Sequence, residues 1–508
     1  MSLNRRLFLV TGLATTGALA APATVLGLSD APARRLAPLA DPFTLGVGSG
    51  EPRPDGMVLW TRLAQNPLDP DGGMGAAAVE VEWQVATDAA MTAVVATGKE
   101  TAVAAEGHSV HAEPRGLQPG REYFYRFKAG AALSPVGRTR TAPAAGTEPA
   151  KLTFSFASCA HFEEGWYHAY RYLAADRPDL VLFLGDYMYE KPSGQATKVR
   201  GYTDFDETDT LGEYRIRYAQ HRLDPMLRAA HAAAPWLVVF DDHELRNNWA
   251  GGHTEPAAAR RQASFQAFWE NMPLPKAMKP ASGKINLYRG VAWGSLARFH
   301  LMDTRQHRWL QAPAGSCAEI TKEARTLTGA AQEKWLLDRL AVKESRWDIL
   351  GQQVFFAQRD TDGAAGTCDV STDAWDGYRR NRERITQGWI DRGVRNPVVL
   401  TGDVHRAWAN NLRLNYFQHS SPIVGAELVT TSITSHSSTT PPAGLAKNPH
   451  LNYVGHTRGY VRATLTPAQL TAEFMQVSSV LEKDPAKVTL SVARRFAVLD
   501  GKPGVQRL

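Results

Sequence analysis

From Lys151 onward, short apolar runs alternate with longer stretches of helical period. "LTFSFAS", "DLVLFLGD", "PWLVVFDD", "WDILGQQVFF" and "NPVVLTGD" read as buried strands. "YHAYRYLAADR", "LGEYRIRYAQHR", "AARRQASFQAFWENM", "AAQEKWLLDRLAVK" and "YRRNRERITQGWIDRG" lie among them as helices. This alternation predicts an α/β domain over 151–508 with helices on its sheet faces. From Glu427, "AELVTTSIT", "GYVRATLT" and "AQLTAEFMQV" add strands, either to the same sheet or to a second one.

The preceding region differs. Over 41–142, β-type runs such as "GMVLWTRL", "AVEVEWQVAT" and "REYFYRFKAG" are broken at close intervals by Gly and Pro, the pattern of a small all-β sandwich. "RTAPAAGTEPA" after it marks the expected boundary. At the start, "NRRLFLVTGLATTGALAAPA" has paired arginines, a short apolar stretch and small residues, the layout of a removable leader over 1–23. Its apolar part is too short for a membrane anchor, and Arg5-Arg6-Leu7-Phe8-Leu9 resembles the twin-arginine export motif, with Asn4 in place of the more usual Ser or Thr. The expected location is therefore periplasmic or secreted, with the twin-arginine machinery as the precursor's partner. The formal charge of +6 would fall to about four without Arg5 and Arg6, too mild and too scattered to indicate nucleic acid.

Four strand ends carry the chemistry. "SFASC" stops at Cys159, "LFLGDYMY" at Asp186 and Tyr189, "VVFDDHELRNN" at Asp241 to Asn248, and "VLTGDVH" at Asp403 and His405. Open α/β sheets bind ligands at the C-terminal ends of their strands. A single Gly-Asp there is ordinary turn chemistry, whereas four such junctions are hard to attribute to turns. Crowded carboxylates also repel one another unless a cation compensates them. Thiolate, phenolate, imidazole and carboxylate (Cys159, Tyr189, His405, Asp186) suit a transition metal. Oxygen donors (Asp186, Asn247, Asp403 and Asp376 of "DAWDGY") suit calcium, magnesium or manganese. Asn248 and Asp373 are the near neighbours that compete with Asn247 and Asp376.

"GDYMY", "DDHELRNN" and "GDVH" resemble segments of the metallophosphoesterase superfamily. With "FASC", "LMDTRQ", "DAWDGY" and the N-terminal β region they are similar to the PhoD-like alkaline phosphatase family, from about Leu45 to the 490s. The resemblance implies a β-sandwich followed by an α/β phosphoesterase domain with one ferric ion and calcium. Iron falls to Cys159, Asp186, Tyr189 and His405, and calcium to Asp186, Asn247, Asp403 and Asp376. One departure is Ala160-His161 after the cysteine, where many relatives carry Gln, which brings His161 into consideration as a pocket residue.

The implied reaction is hydrolysis of phosphomonoesters, and of diesters, by a hydroxide generated at the metal centre, without a covalent intermediate. His243 takes the place of a histidine that assists the leaving group; the bland alternative is a histidine held by Asp241 or Asp242. Arg305 and Arg382 are candidate phosphate clamps, with structural ion pairing as the competing role. Ser49 in "GVGSGEP" reads as a strand-end turn, not a nucleophile elbow. Two other functions compete: a phosphodiesterase or phospholipase-D-like enzyme acting on lipid or wall polymers, and a non-catalytic surface-binding protein. Of three cysteines, Cys317 and Cys368 sit in Gly- and Ala-rich loops and can pair in an oxidising compartment, leaving Cys159 as a core residue or a ligand.

Overall fold

Successive side chains of the strand Leu180–Phe183 enter different cores. Leu180 and Leu182 join one cluster, Val181 and Phe183 another. Side chains alternate along a strand, so a strand covered on both faces reads as one apolar run. The computed structural model describes residues 41–508 apart from 195–198, 203–205, 252–255, 363–367 and 419, and these form one compact unit. The leader expected at 1–23 lies outside the described residues.

Leu180 belongs to a ten-stranded sheet whose centre is parallel: Leu152–Ala157, Leu180–Phe183, Pro235–Val238 and Val47–Arg53. A seven-stranded sheet has its own parallel centre in Ala297–Leu301, Trp347–Gly351, Pro397–Thr401 and Ile423–Val429. Their inner faces share a core, in which Phe154 meets Phe299 edge-on at 5.7 Å between ring centres. Helices His168–Ala175, Leu211–Arg222, Pro225–Ala233 and Ala258–Asn271 cover the outer face of the first sheet. Gly329–Ala341 and Arg379–Asp391 cover that of the second. The molecule is thus layered as helices, sheet, sheet, helices.

The strands after Glu427 divide between the two sheets. Ile423–Val429 lies in the second, while Gly459–Leu465 pairs antiparallel with Leu152–Ala157 in the first and carries Gln469–Val477 beyond it. The segment 41–142 is all-β, and its core joins Val47, Met57 and Leu59 to Val81, Val85, Tyr125 and Phe127 of a five-stranded sheet. It is not a separate lobe, because Val47–Arg53 pairs in parallel with Pro235–Val238 and so continues the ten-stranded sheet. "VGSGEPR" is that strand, not a turn at its end, and Ser49 is buried within it. A Cβ at Gly50 would lie 2.5 Å from the Pro273 carbonyl oxygen, which is why this strand carries a glycine there. Cys317 and Cys368 form a disulfide. Among the described residues no helix is long and apolar enough to cross a membrane.

Candidate metal centre

The C-terminal ends of both parallel sets converge. A bridge between Ser158 and Ser432 joins the chain just beyond one strand of each sheet. Two Gly-Asp turns allow the approach. A Cβ at Gly185 (φ 97°) would lie 2.4 Å from the Asp241 Cβ, and one at Gly402 would lie 2.8 Å from the Ser158 Cβ. Four chemically competent residues here, Cys159, Asp186, Asp403 and His405, hold φ between 55° and 60°, a region non-glycine residues rarely adopt. Strain of this kind persists where the surrounding structure imposes it, commonly at functional sites.

Ligand-type atoms of Cys159, Asp186 and His405 lie within 4.8 Å of one another, as do those of Asp186, Asp241 and Asp242. The Tyr189 hydroxyl donates to Asp186 Oδ2 at 3.0 Å and lies 3.1 Å from His405 Nε2. Asp186 is common to both groups.

Two glutamates hold this arrangement. Glu244 is fully buried and accepts from the backbone N–H of Asp186, Tyr187 and Asp241 at 3.1, 2.6 and 2.9 Å, tying two strand-end loops together. Glu190 accepts from His243 Nδ1 at 2.7 Å and from the Asn247 backbone N–H at 2.8 Å. His405 Nδ1 donates to the His436 carbonyl at 2.9 Å, leaving Nε2 on the side of Tyr189 and Asp186.

The electrostatics are those of anions crowded in a low dielectric. Burial first, then the charges of Asp242, Asp241 and Glu244, hold the Asp186 carboxyl well above the usual range, against His243. Burial, and next the Asp186 charge, raise the Cys159 thiol. Burial pushes Asp403 up to about 7 although Arg305 opposes it. Burial disfavours the His243 cation, yet Asp186, Asp242 and Glu190 outweigh it and push its pKa up to about 10. His405 is lowered to about 4, by burial and then by the His243 charge. Asp186 Oδ1 and Asp241 Oδ2 are buried without a hydrogen-bond partner among the described residues. Carboxylate oxygens lose hydration on burial and need a replacement. A soft-to-borderline donor set beside a carboxylate set fits metal cations.

Comparison with known proteins agrees. Residues 154–474 match the family model "PhoD-like phosphatase", and residues 29–143 match "PhoD-like phosphatase, N-terminal domain". The chain is 42% identical over 485 residues to "Alkaline phosphatase D" of Bacillus subtilis (strain 168), covering 92% of this chain and 82% of that one. The chain belongs to the PhoD-like phosphatase family. A solved structure described as "Structure of PhoD" matches with a TM-score of 0.89 at 41% identity, covering 93% of each chain. An enzyme, a metal-dependent alkaline phosphatase, follows from that membership, not a surface-binding module.

In this PhoD-like phosphatase the other residues singled out in the sequence fall in different places. His243 lies against the centre, its ring 4.2 Å from that of Tyr189, and is held by Glu190, not by either neighbouring aspartate. His161 packs on the Tyr189 ring at 4.5 Å between centres, and burial lowers its pKa, so it is neutral. Asn247 and Asn248 are exposed on the loop after Asp242. Arg305 is fully buried among carboxylates: its Nε pairs with Asp241, its Nη2 lies 3.1 Å from both Asp242 and Asp403, and its Nη1 lies 3.0 Å from Asp373. It neutralises aspartates, and no nitrogen is left for a phosphate clamp. Asp373 is taken up by Arg305, Arg308 and Gln311. Asp376 is buried elsewhere, accepting from Arg382 Nη1 at 2.7 Å and the Arg359 backbone N–H at 2.8 Å. Arg382 is likewise committed, to Asp376 and the Phe356 carbonyl. Asp376 is not among the grouped ligand-type atoms. Asp241 and Asp242 as ligand candidates, and Glu190 and Glu244 as their supports, were not assigned from sequence.

Proposed function

We propose that this phosphatase is exported by the twin-arginine route and hydrolyses phosphodiesters as well as phosphomonoesters at a centre of ferric iron and calcium. Cys159, Asp186, Tyr189 and His405 would hold the iron, and Asp186 and Asp242 the calcium, with Asp403 and Asn247 as the further oxygen donors. The observation that carries this reading is the meeting of a thiol, a phenol and an imidazole around one aspartate, since ligand atoms of Cys159, Asp186 and His405 fall within 4.8 Å and the Tyr189 hydroxyl touches two of the three. When bound, the cations would stabilise negative charge on the phosphoryl oxygens as Lewis acids.

The chain's own groups supply the rest. His243, kept protonated by Asp186, Asp242 and Glu190, is a general acid able to give a proton to the departing alkoxide. Glu190 fixes the ring so that Nε2 carries the transferable proton. Glu244 sets the positions of Asp186 and Asp241, and Arg305 offsets the charge of the aspartates around it. The leader-like N-terminus supports export, and the Cys317–Cys368 disulfide suits an oxidising compartment.

The test is elemental analysis of purified protein, with activity on p-nitrophenyl phosphate and its bis ester. Stoichiometric iron with visible absorption from tyrosinate or thiolate ligation, and turnover of both esters, are expected. Protein loaded with other metals and lacking iron, or inert toward the diester, would refute the corresponding half of the proposal.

A further inference from the structure

Beside the metal centre lies a groove of about 580 Å³ lined by Glu164, His436, the segment His456 to Arg458 just before the strand Gly459–Leu465, and the segment Val477 to Leu481 at the end of Gln469–Val477. His436 lines it, and the carbonyl of the same residue accepts from His405 Nδ1, so the groove opens within one residue of the cluster. The Thr431 hydroxyl closes the junction by donating to the Thr457 carbonyl at 2.7 Å. One wall is apolar, formed by Val477, Val480 and the exposed Leu481. The lining also includes Arg458, His436 and His456, and Arg458 sits beside Val477, whose backbone N–H donates to the Arg458 carbonyl at 3.0 Å.

Most polar groups of the groove are already committed. Ser478 Oγ accepts from the Thr489 backbone N–H, and Ser479 Oγ from those of Leu481 and Glu482. Glu164 accepts from the His436 backbone N–H. Arg458 is different. Its Nη1 reaches only the His456 carbonyl at 3.2 Å, and its buried Nε has no hydrogen-bond partner among the described residues. A half-buried guanidinium with unused donors recognises an anion, and the adjoining Val477, Val480 and Leu481 side of the groove accepts apolar surface.

We propose that this groove is the leaving-group subsite, built for an alcohol moiety with an apolar face toward Val480 and Leu481 and an anionic substituent toward Arg458. The preferred esters are then those whose alcohol carries its own negative charge. This rests on the phosphatase centre described above. In that arrangement the phosphoryl group would lie at the candidate metal centre; a water oxygen bonds to phosphorus as the P–O bond to the alcohol breaks, His243 gives its proton to the alcohol oxygen and is reprotonated by the proton that water releases, and the alcohol leaves through the groove while the phosphate stays behind.

Phenyl phosphate and 4-carboxyphenyl phosphate differ only in a distal charge and form a matched pair. Wild-type protein should prefer the carboxylated ester, and R458Q should lower the ratio of the two kcat/KM values about tenfold, as expected for loss of one charge-assisted hydrogen bond. R458K should keep most of the preference. An unchanged ratio in R458Q overturns the proposal. Equal loss on both esters overturns it too, by moving Arg458 to the phosphate. Direct titration of wild-type protein with 4-hydroxybenzoate and with phenol reads the groove without turnover and without any variant: binding of the benzoate about tenfold tighter supports the subsite, and equal binding refutes it. Failure of wild-type protein to hydrolyse either ester counts instead against the metal centre.

Discussion

Arg305→Met is the sharpest test of how the centre is balanced. The methionine occupies similar volume but removes the positive charge that four aspartates share, three of them at 3.0 to 3.1 Å from its terminal nitrogens. Breaking a buried pair by deleting one partner costs about 3–5 kcal/mol, because the remaining charge is left unpaired in a low dielectric. With four anions around one guanidinium, the upper part of that range is expected for protein stripped of metal at pH 8. The cost depends on pH. Asp403, raised to about 7 by burial even with Arg305 beside it, loses a stabilising charge in the variant, so its pKa rises further. A carboxyl whose folded pKa lies above its unfolded value lowers stability increasingly as pH rises toward that folded value. The variant's deficit should therefore deepen between pH 7 and 8, by up to about 1.4 kcal/mol for each pH unit over which Asp403 titrates in the variant alone. Urea unfolding of EDTA-treated wild type and variant at pH 6, 7 and 8 measures this, and added calcium should recover part of the loss by replacing the missing cation. A deficit under about 1 kcal/mol at pH 8, or one that shrinks as pH rises, would show that Arg305 does not neutralise this cluster.

Cys159→Ser should lose its iron and most activity while keeping its circular dichroism spectrum, because a hydroxyl is a poorer anionic ligand than a thiolate; full turnover with retained iron would remove the sulfur from the site. Glu190→Gln withdraws one of the charges that push His243 up to about 10, so the alkaline limb of the pH–rate profile should move about one unit toward acid; an unmoved limb would assign it to another group. Thiol titration of denatured, unreduced protein should find one thiol of the three cysteines, Cys159, with two more appearing after reduction.

The strands around the centre were legible because each is buried on both faces, so "DLVLFLGD" and "NPVVLTGD" show unbroken apolar character up to the residue where the chemistry begins. The helices were legible for a similar reason: "LGEYRIRYAQHR" coincides with Leu211–Arg222, where Thr210 and Glu213 complete a capping box. Pro225–Ala233 was passed over, although Asp224 before Pro225 is a helix-start signal and the Asp224 side chain caps Met226 at 2.9 Å. A second sheet was among the readings, but which strand belongs to which sheet was not legible, since periodicity reports that a strand is covered but not by what. Nor was the role of Val47–Arg53, whose Gly50 answers to a close approach from Pro273 that no local pattern reveals. At the centre, residue types announced ligands, but their partners did not. Glu190 stands directly after the "GDYMY" motif, and only the fold brings it to His243. Asp376 and Asp373 are three residues apart in one loop, and neither composition nor spacing shows that one answers Arg382 and the other Arg305.

The ten-stranded sheet draws its neighbours from opposite ends of the chain, Val47–Arg53 on one side and Gly459–Leu465 on the other. Contacts so distant in sequence make for slow assembly. During translation the central strands would remain open along one edge until the region around residue 465 has emerged from the ribosome. Loss of the tail would therefore do more than trim a surface: it would expose the edge of the strand that leads into Cys159. The metal centre is in this sense completed last, by residues that contribute no ligand to it.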